Sequence, residues 1–338
     1  MRTFYITGIS GFLGRNIVLS LLNEPDVEII GLVLPNEKNL EFYYQYENIT
    51  LVEGNILNKD DVIRFISSLS LGEKVVIHAA GRISVFRHND DLTMKINVDG
   101  TKNVVDACLE LGDIDKFIYV SSVDALPKLK DQLEVTEPER YDEKLVDGVY
   151  SKSKAISNNY VLDAVRKGLN ASIVMPSAIM GPNDPFHAPI NVAIKKFLKH
   201  KLPAVVKGGY DIVDVRDVAE GIIAVSEHGK IGESYILNGH QTRVLDLINL
   251  AAKKSKNKPI KSQIPHFLVK IASPFIELHA RIHHQQPLFT AFAMDCLLLN
   301  PKYSNKKASN DFNYHPRSLE ITMEDTINWM KDSGYLAK

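Results

Sequence analysis

The stretch TFYITGISGFLGRN, residues 3–16, decides the fold class of this chain. Its apolar beginning predicts a β-strand, and the run that starts at Phe12 predicts an α-helix. Gly8, Gly11 and Gly14 recur every third residue between the two predicted elements. Glycine permits a tight turn and the close approach of a phosphate to the backbone, and the N-terminus of the helix attracts that phosphate. The stretch therefore predicts a strand–loop–helix unit that binds a dinucleotide pyrophosphate.

Strands and helices continue to alternate through the first half of the chain. Further apolar runs predict strands in VEIIGLVL, ITLVEGN, KVVIHAA, DKFIYVSS and ASIVMPSAI. Amphipathic runs predict helices in DDVIRFISSL, in NVDGTKNVVDACLELG and from about Tyr150. Continuously apolar strands that alternate with helices indicate a buried parallel sheet. The predicted fold class is α/β, a doubly wound parallel sheet of the Rossmann type.

The regular alternation weakens after Pro176. We therefore predict a dinucleotide-binding domain in residues 1–175 and a smaller, mostly helical substrate-binding region in residues 176–338. The run DIVDVRDVAEGIIAVSEHG returns to strand-then-helix, so elements of the first domain are expected again around residues 208–240. Residues 265–299 are predicted to be mostly helical.

Composition excludes several classes of protein. The 338 residues carry a formal net charge of −1, which argues against a large nucleic-acid-binding surface. The two cysteines, Cys108 and Cys296, suggest no disulfide framework and fit a reducing cytoplasm. No signal-peptide pattern and no apolar run long enough for a membrane span is present, and the adjacent His283 and His284 have no ligand cluster around them. The sequence predicts a cytoplasmic protein without a metal site.

The preference between NAD and NADP is open. An acid near the end of the second strand usually holds the adenosine ribose of NAD. The strand ends in GLVLPNEKN, with neither an acid nor an arginine at residues 33–35. Lys38 could meet the 2′-phosphate of NADP, or it could be a solvated loop lysine.

The stretch VDGVYSKSK, residues 146–154, holds Tyr150, Lys152 and Lys154. Residues four apart share a helix face and residues two apart do not, so Tyr150 and Lys154 are expected to meet while Lys152 points away. The pattern fits the solvated start of a helix as well as a proton-transfer device, and by itself it does not decide between them.

Taken together, these motifs resemble the extended short-chain dehydrogenase/reductase superfamily over nearly the whole chain. TGISGFLG at residues 7–14 is similar to its TGxxGxxG cofactor loop, GNI at residues 54–56 to its G-D-[IL] adenine contact, and HAAG at residues 78–81 to a strand that backs the cofactor. NVDGT at residues 97–101 is similar to its N-x-x-G-T helix. The resemblance implies NAD or NADP bound by Thr7, Gly8, Ser10, Gly11, Phe12, Leu13, Gly14, Asn55, Ile56, Ala79, Ala80, Gly81, Asn97, Lys154, Pro176 and Ser177.

The resemblance also assigns a catalytic triad of Ser122, Tyr150 and Lys154, because YVSS at residues 119–122 is similar to the strand that bears the family's serine and YSKSK to its YxxxK motif. Tyr150 would carry the proton that accompanies hydride transfer. Its ordinary pKa of about 10 is too high for an efficient base, so we expect Lys154 to lower that pKa. Ser122 would hold the substrate oxygen, with Ser121 as the adjacent alternative.

Two departures narrow the branch of the superfamily. Sugar 4,6-dehydratases carry Thr-Asp-Glu after the catalytic strand, where this chain has Ser122-Val123-Asp124. Nucleotide-sugar epimerases carry R-x-x-N-x-Y-G-P after the sixth strand, and MPSAIMGPND keeps only the final Gly-Pro.

The remaining features are similar to the dihydroflavonol reductase and 3β-hydroxysteroid dehydrogenase branch. They are the Pro176-Ser177 pair and VDVRDVAEGI at residues 213–222. Within that second stretch, Asp214 and Asp217 are expected to cap the following helix.

The predicted function is NAD(P)-dependent interconversion of a carbonyl and an alcohol on a small, largely apolar substrate. A nucleotide-sugar epimerase with the same triad and a non-enzymatic dinucleotide sensor are the alternatives. The substrate side is predicted to be formed by Arg82, Ser122, Asp124, Met180, Phe186 and His187, with the helix around residues 267–276. That helix belongs to the amphipathic run HFLVKIASPFIELHARIHH, for which contact with a membrane surface is a second interpretation. The resemblance further implies a homodimer.

Overall fold

The computed structural model describes residues 1–68, 72–128, 133–265, 267–269, 271–274, 276 and 290–337. Its strands are β1 (Arg2–Thr7), β2 (Val27–Val33), β3 (Ile49–Glu53), β4 (Glu73–His78), β5 (Lys116–Val120), β6 (Ala171–Pro176), β7 (Ala178–Met180), β8 (Val205–Val206), β9 (Gly209–Asp214), β10 (Ser234–Leu237), β11 (His240–Arg243) and β12 (Gln263–Ile264).

The α-helices are α1 (Phe12–Leu21), α2 (Lys59–Ser67), α3 (Asp91–Met94), α4 (Gly100–Leu111), α5 (Val149–Val165), α6 (Pro189–Leu198), α7 (Val215–His228), α8 (Val244–Ser255), α9 (Ala291–Leu299), α10 (Lys306–Phe312) and α11 (Leu319–Asp332). A π-helical turn, Lys95–Asp99, joins α3 to α4. Among the described helices, none combines the length and the apolar character that crossing a bilayer requires.

Seven parallel strands form the main sheet in the order β10-β6-β5-β4-β1-β2-β3. The order reverses beside β1, as in a doubly wound sheet, and the predicted fold class is confirmed. One apolar layer packs α2, α4 and α5 against the sheet, with Phe65, Val104 and Val161 fully buried. The opposite layer packs α1 and α7, with Ile17 and Ile222 fully buried. Both faces are covered, which explains why the strands read as continuously apolar.

The predicted strand ASIVMPSAI is two strands in different sheets. β6 pairs with β5 and β10, whereas β7 pairs with β9 in a separate sheet of order β11-β9-β7. The change falls at Ser177, directly after Pro176, whose ring removes the N–H that a central strand uses for pairing. The chain therefore leaves the main sheet beside the carboxyl ends of its strands.

The second half of the chain contributes to the main sheet as well. β10 pairs with β6 at the sheet edge, and α7 packs against α1. A third apolar cluster lies among α6, α8 and α11 and includes Ile194, Ile248 and Ile327. The domain boundary after residue 175 stays a prediction.

Candidate active site

The glycine loop is shaped by two backbone contacts that leave no room for a side chain. Gly8 has a φ of +73°, and a Cβ there would lie 2.7 Å from the Ala80 backbone nitrogen. A Cβ on Gly14 would lie 2.7 Å from Ile9 Cα and closer still to the Gly8 carbonyl oxygen. The Gly11 N–H donates to that same oxygen at 3.0 Å. The start of α1 is thus held against the end of β1, with its first-turn N–H groups at the loop.

A buried histidine ties this loop to the neighbouring strand and helix. His78 Nδ1 lies 2.7 Å from Thr7 Oγ1, and His78 Nε2 lies 3.0 Å from Thr101 Oγ1. Thr101 donates its own proton to the Asn97 carbonyl oxygen at 2.6 Å, so it accepts from His78 and the Nε2 atom carries the hydrogen. Burial, and then the nearby Lys154 charge, lower the pKa of His78 to about 3. His78 is therefore a neutral imidazole that links Thr7 to Thr101.

Asn97 lies in the π-helical turn and joins three segments. Its Oδ1 accepts from the Arg82 N–H at 2.8 Å, and its Nδ2 donates to the Arg82 carbonyl oxygen at 3.0 Å. The same Nδ2 donates to Ser153 Oγ on α5 at 2.9 Å. These bonds fix the chain after β4 against α5, next to the predicted catalytic lysine.

Lys154 is buried and its ammonium is held at the end of β5. Nζ donates to the Val120 carbonyl oxygen at 2.8 Å and to the Tyr119 hydroxyl at 3.2 Å, and it lies 4.8 Å from the centroid of the Tyr119 ring. A Cβ on Gly81 would come within 3.4 Å of Lys154 Nζ and of Asn97 Oδ1. Glycine at residue 81 therefore keeps this side of the ammonium uncrowded.

Ser122 and Tyr150 meet at the same edge of the sheet, and Asp124 is close to both. The Ser122 hydroxyl oxygen accepts from the Asp124 N–H at 3.1 Å. Burial raises the pKa of Tyr150 well above its usual value, Asp124 raises it further, and hydrogen bonding with Ser122 lowers it only partly. The expectation that Tyr150 has a lowered pKa is wrong, because burial and the Asp124 charge outweigh the hydrogen bond with Ser122.

The predicted cofactor residues gather where the strands of the main sheet end. Thr7 ends β1, Ala79 to Gly81 follow β4, and Pro176 ends β6. Ser121 Oγ and Ser177 Oγ, each directly beyond a strand end, are buried without a hydrogen-bond partner among the described residues. Three features at this sheet edge suit a dinucleotide. They are glycine backbone with no room for a Cβ, the buried hydroxyls of Ser121 and Ser177, and the fixed Lys154 ammonium. The residues present therefore fit NAD or NADP.

Asn55 and Ile56, which were predicted to contact the adenine, both make contacts within the protein. Asn55 N–H donates to Asp61 Oδ2 at 3.0 Å, and Asn55 Oδ1 accepts from the Leu57 N–H at 2.9 Å. The Ile56 side chain packs so closely on Gly100 that a Cβ there would lie 2.7 Å from Ile56 Cδ1. Asn55 shapes the turn after β3, and a cofactor contact by either residue stays a prediction.

The structure places Met180 in an apolar cluster, and its predicted substrate contact stays a prediction. Its side chain is fully buried in the apolar cluster of α6, α8 and α11. The His187 ring packs against Tyr335, with 4.6 Å between centroids, while Phe186 is 53% exposed. Among the described contacts, none connects these three residues to Ser122 or Tyr150.

Arg82 lies near the site but is already paired. Its Nη1 donates to Asp90 Oδ2 at 2.6 Å and to Thr93 Oγ1 at 2.5 Å. Burial tends to raise the pKa of Asp90, but hydrogen bonds from Ser84, Arg82 and Thr93 and the Arg82 charge bring it below its usual value. A substrate contact by Arg82 stays a prediction.

Sequence reasoning missed a second charged group on the substrate side. Lys128 Nζ lies 2.6 Å from Asp124 Oδ1, and the lysine is largely buried. Burial lowers the pKa of Lys128, but Asp124 and Tyr303 raise it well above its usual value. Asp124 is therefore ion-paired beside Tyr150. The i, i+4 spacing was the available signal, but the chain here lies outside the α-helices, where spacing does not predict contact.

Helix α9 packs against the N-terminal end of α5. The Phe292 ring stands where a side chain on Gly148 would be, and Thr290 Oγ1 donates to the Val85 carbonyl oxygen at 2.8 Å. Burial raises the pKa of Cys296 in α9 to about 11, and Lys128 and Asp124 also act on it. Helix α9 thus packs against the start of α5, the helix that carries Tyr150 and Lys154.

The two aspartates of VDVRDVAEGI have different structural roles. Asp214 caps α7 as predicted, accepting from the Arg216 N–H at 2.8 Å. The capping prediction for Asp217 is wrong, because its carboxylate accepts from the Arg317 backbone N–H at 2.8 Å and from its guanidinium. Asp217 fastens the C-terminal segment to α7.

The described part of the run HFLVKIASPFIELHARIHH, whose helix was predicted to line the substrate side, exposes Phe267, Leu268 and Ile271. His283 and His284 lie outside the described residues. Elsewhere, the described residues form no cluster of three or more histidine, cysteine or acidic side chains with the geometry of a metal site.

An acid that the sequence reasoning missed lies beside the glycine loop. Glu37 Oε1 accepts from Ser10 Oγ at 2.6 Å, and Glu37 Oε2 accepts from the Leu34 N–H at 3.0 Å. The segment from Leu34 to Glu37 is a turn with Pro35 second and Asn36 third, and Asn36 has a φ of +62°. Pro followed by Asn favours this turn, so the Pro-Asn pair was the signal that the chain folds back after β2.

Comparison with known proteins agrees with this geometry. The model of the NAD dependent epimerase/dehydratase family matches residues 4–238. A Synechocystis sp. protein described as "Putative dihydroflavonol 4-reductase" is 28% identical, over 98% of this chain and 96% of its own. The mouse sterol-4-alpha-carboxylate 3-dehydrogenase, decarboxylating, is 26% identical, over 95% of this chain and 88% of its own.

Solved structures give the same fold. The crystal structure of gox2253 is 31% identical, with a TM-score of 0.81 and 98% of each chain covered. The dTDP-glucose 4,6-dehydratase of Bacillus anthracis, solved in complex with NAD, is 19% identical with a TM-score of 0.77, over 99% of this chain and 98% of its own. This second likeness concerns the fold alone.

Proposed function

The chain belongs to the NAD-dependent epimerase/dehydratase family and is an NAD(P)-dependent enzyme of the short-chain dehydrogenase/reductase type, and from this we propose that it interconverts a ketone or aldehyde and the corresponding alcohol. The observation that supports the proposal best is the meeting of Ser122 and Tyr150 at the sheet edge where Lys154 is fixed.

In the reductive direction, Ser122 donates a hydrogen bond to the substrate carbonyl oxygen and holds it beside the Tyr150 hydroxyl. When bound, the nicotinamide would supply the hydride that reduces the carbonyl carbon, or would receive it from the alcohol. As the carbon–oxygen double bond becomes a single bond, Tyr150 gives its proton to the oxygen, which completes the alcohol. In the oxidative direction, the tyrosinate takes the proton of the alcohol.

The raised pKa of Tyr150 decides which protonation state the residue brings to the reaction. Burial and the Asp124 carboxylate disfavour the phenolate, so Tyr150 is a protonated acid at neutral pH. A protonated tyrosine can donate the proton that reduction of a carbonyl requires. Lys154 holds its ammonium against Val120 and would present its remaining proton to the nicotinamide ribose.

The substrate class is proposed from the relatives. The names of the two relatives above refer to a dihydroflavonol and to a sterol carboxylate, both of which have several rings. We propose an apolar carbonyl or alcohol of this kind for this chain. The homodimer and the cytoplasmic location remain predictions.

The test is a turnover assay with a matched tyrosine control. Purified protein is screened with NADH and NADPH against hydrophobic ketones and aldehydes, and with NAD and NADP against the matching alcohols. Tyr150→Phe should lower kcat by about 10²–10⁴-fold, since it removes the proton donor. Tyr160→Phe is the control, because Tyr160 lies on the same helix with its hydroxyl bound to Asp106 at 2.7 Å.

The outcomes separate the alternatives. Turnover that is lost in Tyr150→Phe and kept in Tyr160→Phe supports the proposal. Tightly retained NAD with epimerisation of nucleotide sugars and no reduction of ketones would favour the epimerase. Cofactor binding without any turnover, unchanged by Tyr150→Phe, would favour the dinucleotide sensor.

A further inference from the structure

We propose that a surface of the C-terminal region, here named the basic surface, docks this protein on an anionic lipid bilayer. The basic surface consists of the exposed side chains of Lys201, Lys207, Lys258, Lys261, Phe267 and Ile271. The inference does not depend on the chemistry proposed for Tyr150.

The charge of the basic surface comes from two segments of the chain. Residues 185–210 and 247–276 together contain eleven lysines and no aspartate or glutamate, although the whole chain has a net charge of −1. The structure brings the two segments together, because α6 packs against α8 and β8 pairs with β12. Positive charge is therefore concentrated in one part of the C-terminal region.

Strand pairing sets the order of charged and apolar residues. β8 and β12 are parallel, with Ile264 opposite Val206. Lys201 and Lys261 precede the two strands and therefore lie at the same end of the pair. Lys207 follows directly after Val206, so it lies at the other end, where the chain leaves β12 and enters the apolar helical segment.

The four lysines of the basic surface have no structural role that explains them. Lysines in the last turns of α6 and α8 are favoured there by the helix dipole, but Lys207, Lys258 and Lys261 lie outside the α-helices. Lys254 pairs with Glu324. Within the part of the chain that the structure describes, none of the four forms an ion pair. Their ammonium groups are left to meet an external anion.

The apolar part of the basic surface lies on the helical segment after β12. Val269 is buried in an apolar cluster with β8 and α9, which fixes this segment against the rest of the protein. Phe267 and Ile271 are 61% and 65% exposed. Apolar side chains beside unpaired lysines fit the boundary of a bilayer, where the apolar groups enter the acyl region and the lysines meet anionic headgroups. A nucleic acid would use the lysines and leave Phe267 and Ile271 uncovered.

The experiment measures co-sedimentation of the full chain with lipid vesicles. The wild-type protein should sediment with phosphatidylcholine vesicles that contain about 30% phosphatidylglycerol, and should stay in solution with phosphatidylcholine alone. The double variant Lys258→Gln, Lys261→Gln should partition into the anionic vesicles about 10–30-fold more weakly, because two positive charges leave the surface.

A second variant and a matched control separate the contributions. Phe267→Ser with Ile271→Ser should weaken partitioning about tenfold or more, because less apolar area enters the bilayer. Lys144→Gln with Lys167→Gln removes the same charge from two exposed lysines outside the lysine-rich segments, and should sediment like the wild type. The substituted side chains are all exposed, so the unfolding temperatures should stay close to that of the wild type.

Three results would overturn the inference. They are no sedimentation with the anionic vesicles, equal sedimentation with the two lipid compositions, and undiminished sedimentation of the Lys258→Gln, Lys261→Gln variant. Binding of a short DNA duplex without binding of vesicles would assign the basic surface to nucleic acid instead. Tyr150→Phe should sediment like the wild type, so loss of turnover and loss of lipid binding are separate observations.

Discussion

Replacing Gly14 by alanine tests whether the glycine loop is fixed by backbone contact. The added Cβ would lie 2.7 Å from both Ile9 Cα and the Ile9 carbonyl oxygen, and these are backbone atoms that cannot rotate away. Ordinary contact between such atoms needs roughly 3.5 Å, so the start of α1 has to move by close to an ångström. Crowding of this kind typically costs about 1–3 kcal/mol.

An opposing effect has to be subtracted. Alanine is favoured over glycine inside a helix by about 1 kcal/mol, and Gly14 lies within the first turn of α1, where this gain is only partly realised. Subtracting about 0.5 kcal/mol for this partial gain leaves an expected net loss of about 0.5–2.5 kcal/mol in the free energy of unfolding. Because the displaced segment carries the N–H groups that face the pyrophosphate, NADH affinity should fall by about tenfold or more.

Urea denaturation and an NADH fluorescence titration measure the two quantities. Gly112→Ala is the control, since Gly112 has a φ of +67° and nothing lies within 4 Å of a Cβ there. That variant should lose about 1 kcal/mol from backbone strain and bind NADH normally. If Gly14→Ala keeps both wild-type stability and wild-type affinity, the argument from backbone contact is refuted.

Three further predictions concern charge and capping. Asp124→Asn should shift the basic limb of the pH–rate profile to lower pH, because the Asp124 charge helps to raise the pKa of Tyr150; an unmoved or raised limb would contradict this. Burial lowers the pKa of Lys116 to about 8, so between pH 8 and its ordinary 10.5 the unfolded chain binds more protons and stability rises with pH. Lys116→Met loses that rise and leaves the Gly229 carbonyl oxygen without its donor. By urea denaturation, the free energy of unfolding should lie below that of the wild type, by an amount that grows by about 1–3 kcal/mol from pH 7 to pH 10. A difference that stays constant with pH would count against this prediction. Asp214→Ala removes the cap of α7 and should cost about 1–2 kcal/mol by the same assay, whereas Asp214→Asn, which can still accept from the Arg216 N–H, should cost less.

Much of the fold could be predicted from local pattern. The glycine triplet after the first strand and the alternation of apolar strands with helices led to the seven-stranded parallel sheet. The main error of element assignment was ASIVMPSAI, which is one apolar run in the sequence and two strands in the structure. An apolar run does not record which sheet it enters, so the break at Pro176 became visible only through pairing.

Prediction of the candidate site was less complete. Sequence spacing placed Tyr150 and Lys154 on one helix, and the structure brings Ser122 to the same sheet edge. The sequence did not reveal that Lys154 bonds to Val120 or that Asp124 opposes ionisation of Tyr150, since these contacts join segments distant in the chain or outside the helix. The sequence also did not show that Met180 packs in the apolar cluster of α6, α8 and α11, because a methionine beside a binding motif has the same sequence pattern whether it faces a pocket or a core.

The sequence by itself determined the layered α/β architecture and the position of the phosphate loop. Both depend on period, glycine spacing and helix polarity, which are local properties of the chain. Only the tertiary structure decided where each charge lies. Glu37 reaches Ser10 through a turn, Lys128 pairs with Asp124, and Lys154 is fixed at Val120. Burial and neighbouring charge set the ionisation of these groups, and they exist only once distant segments have packed together.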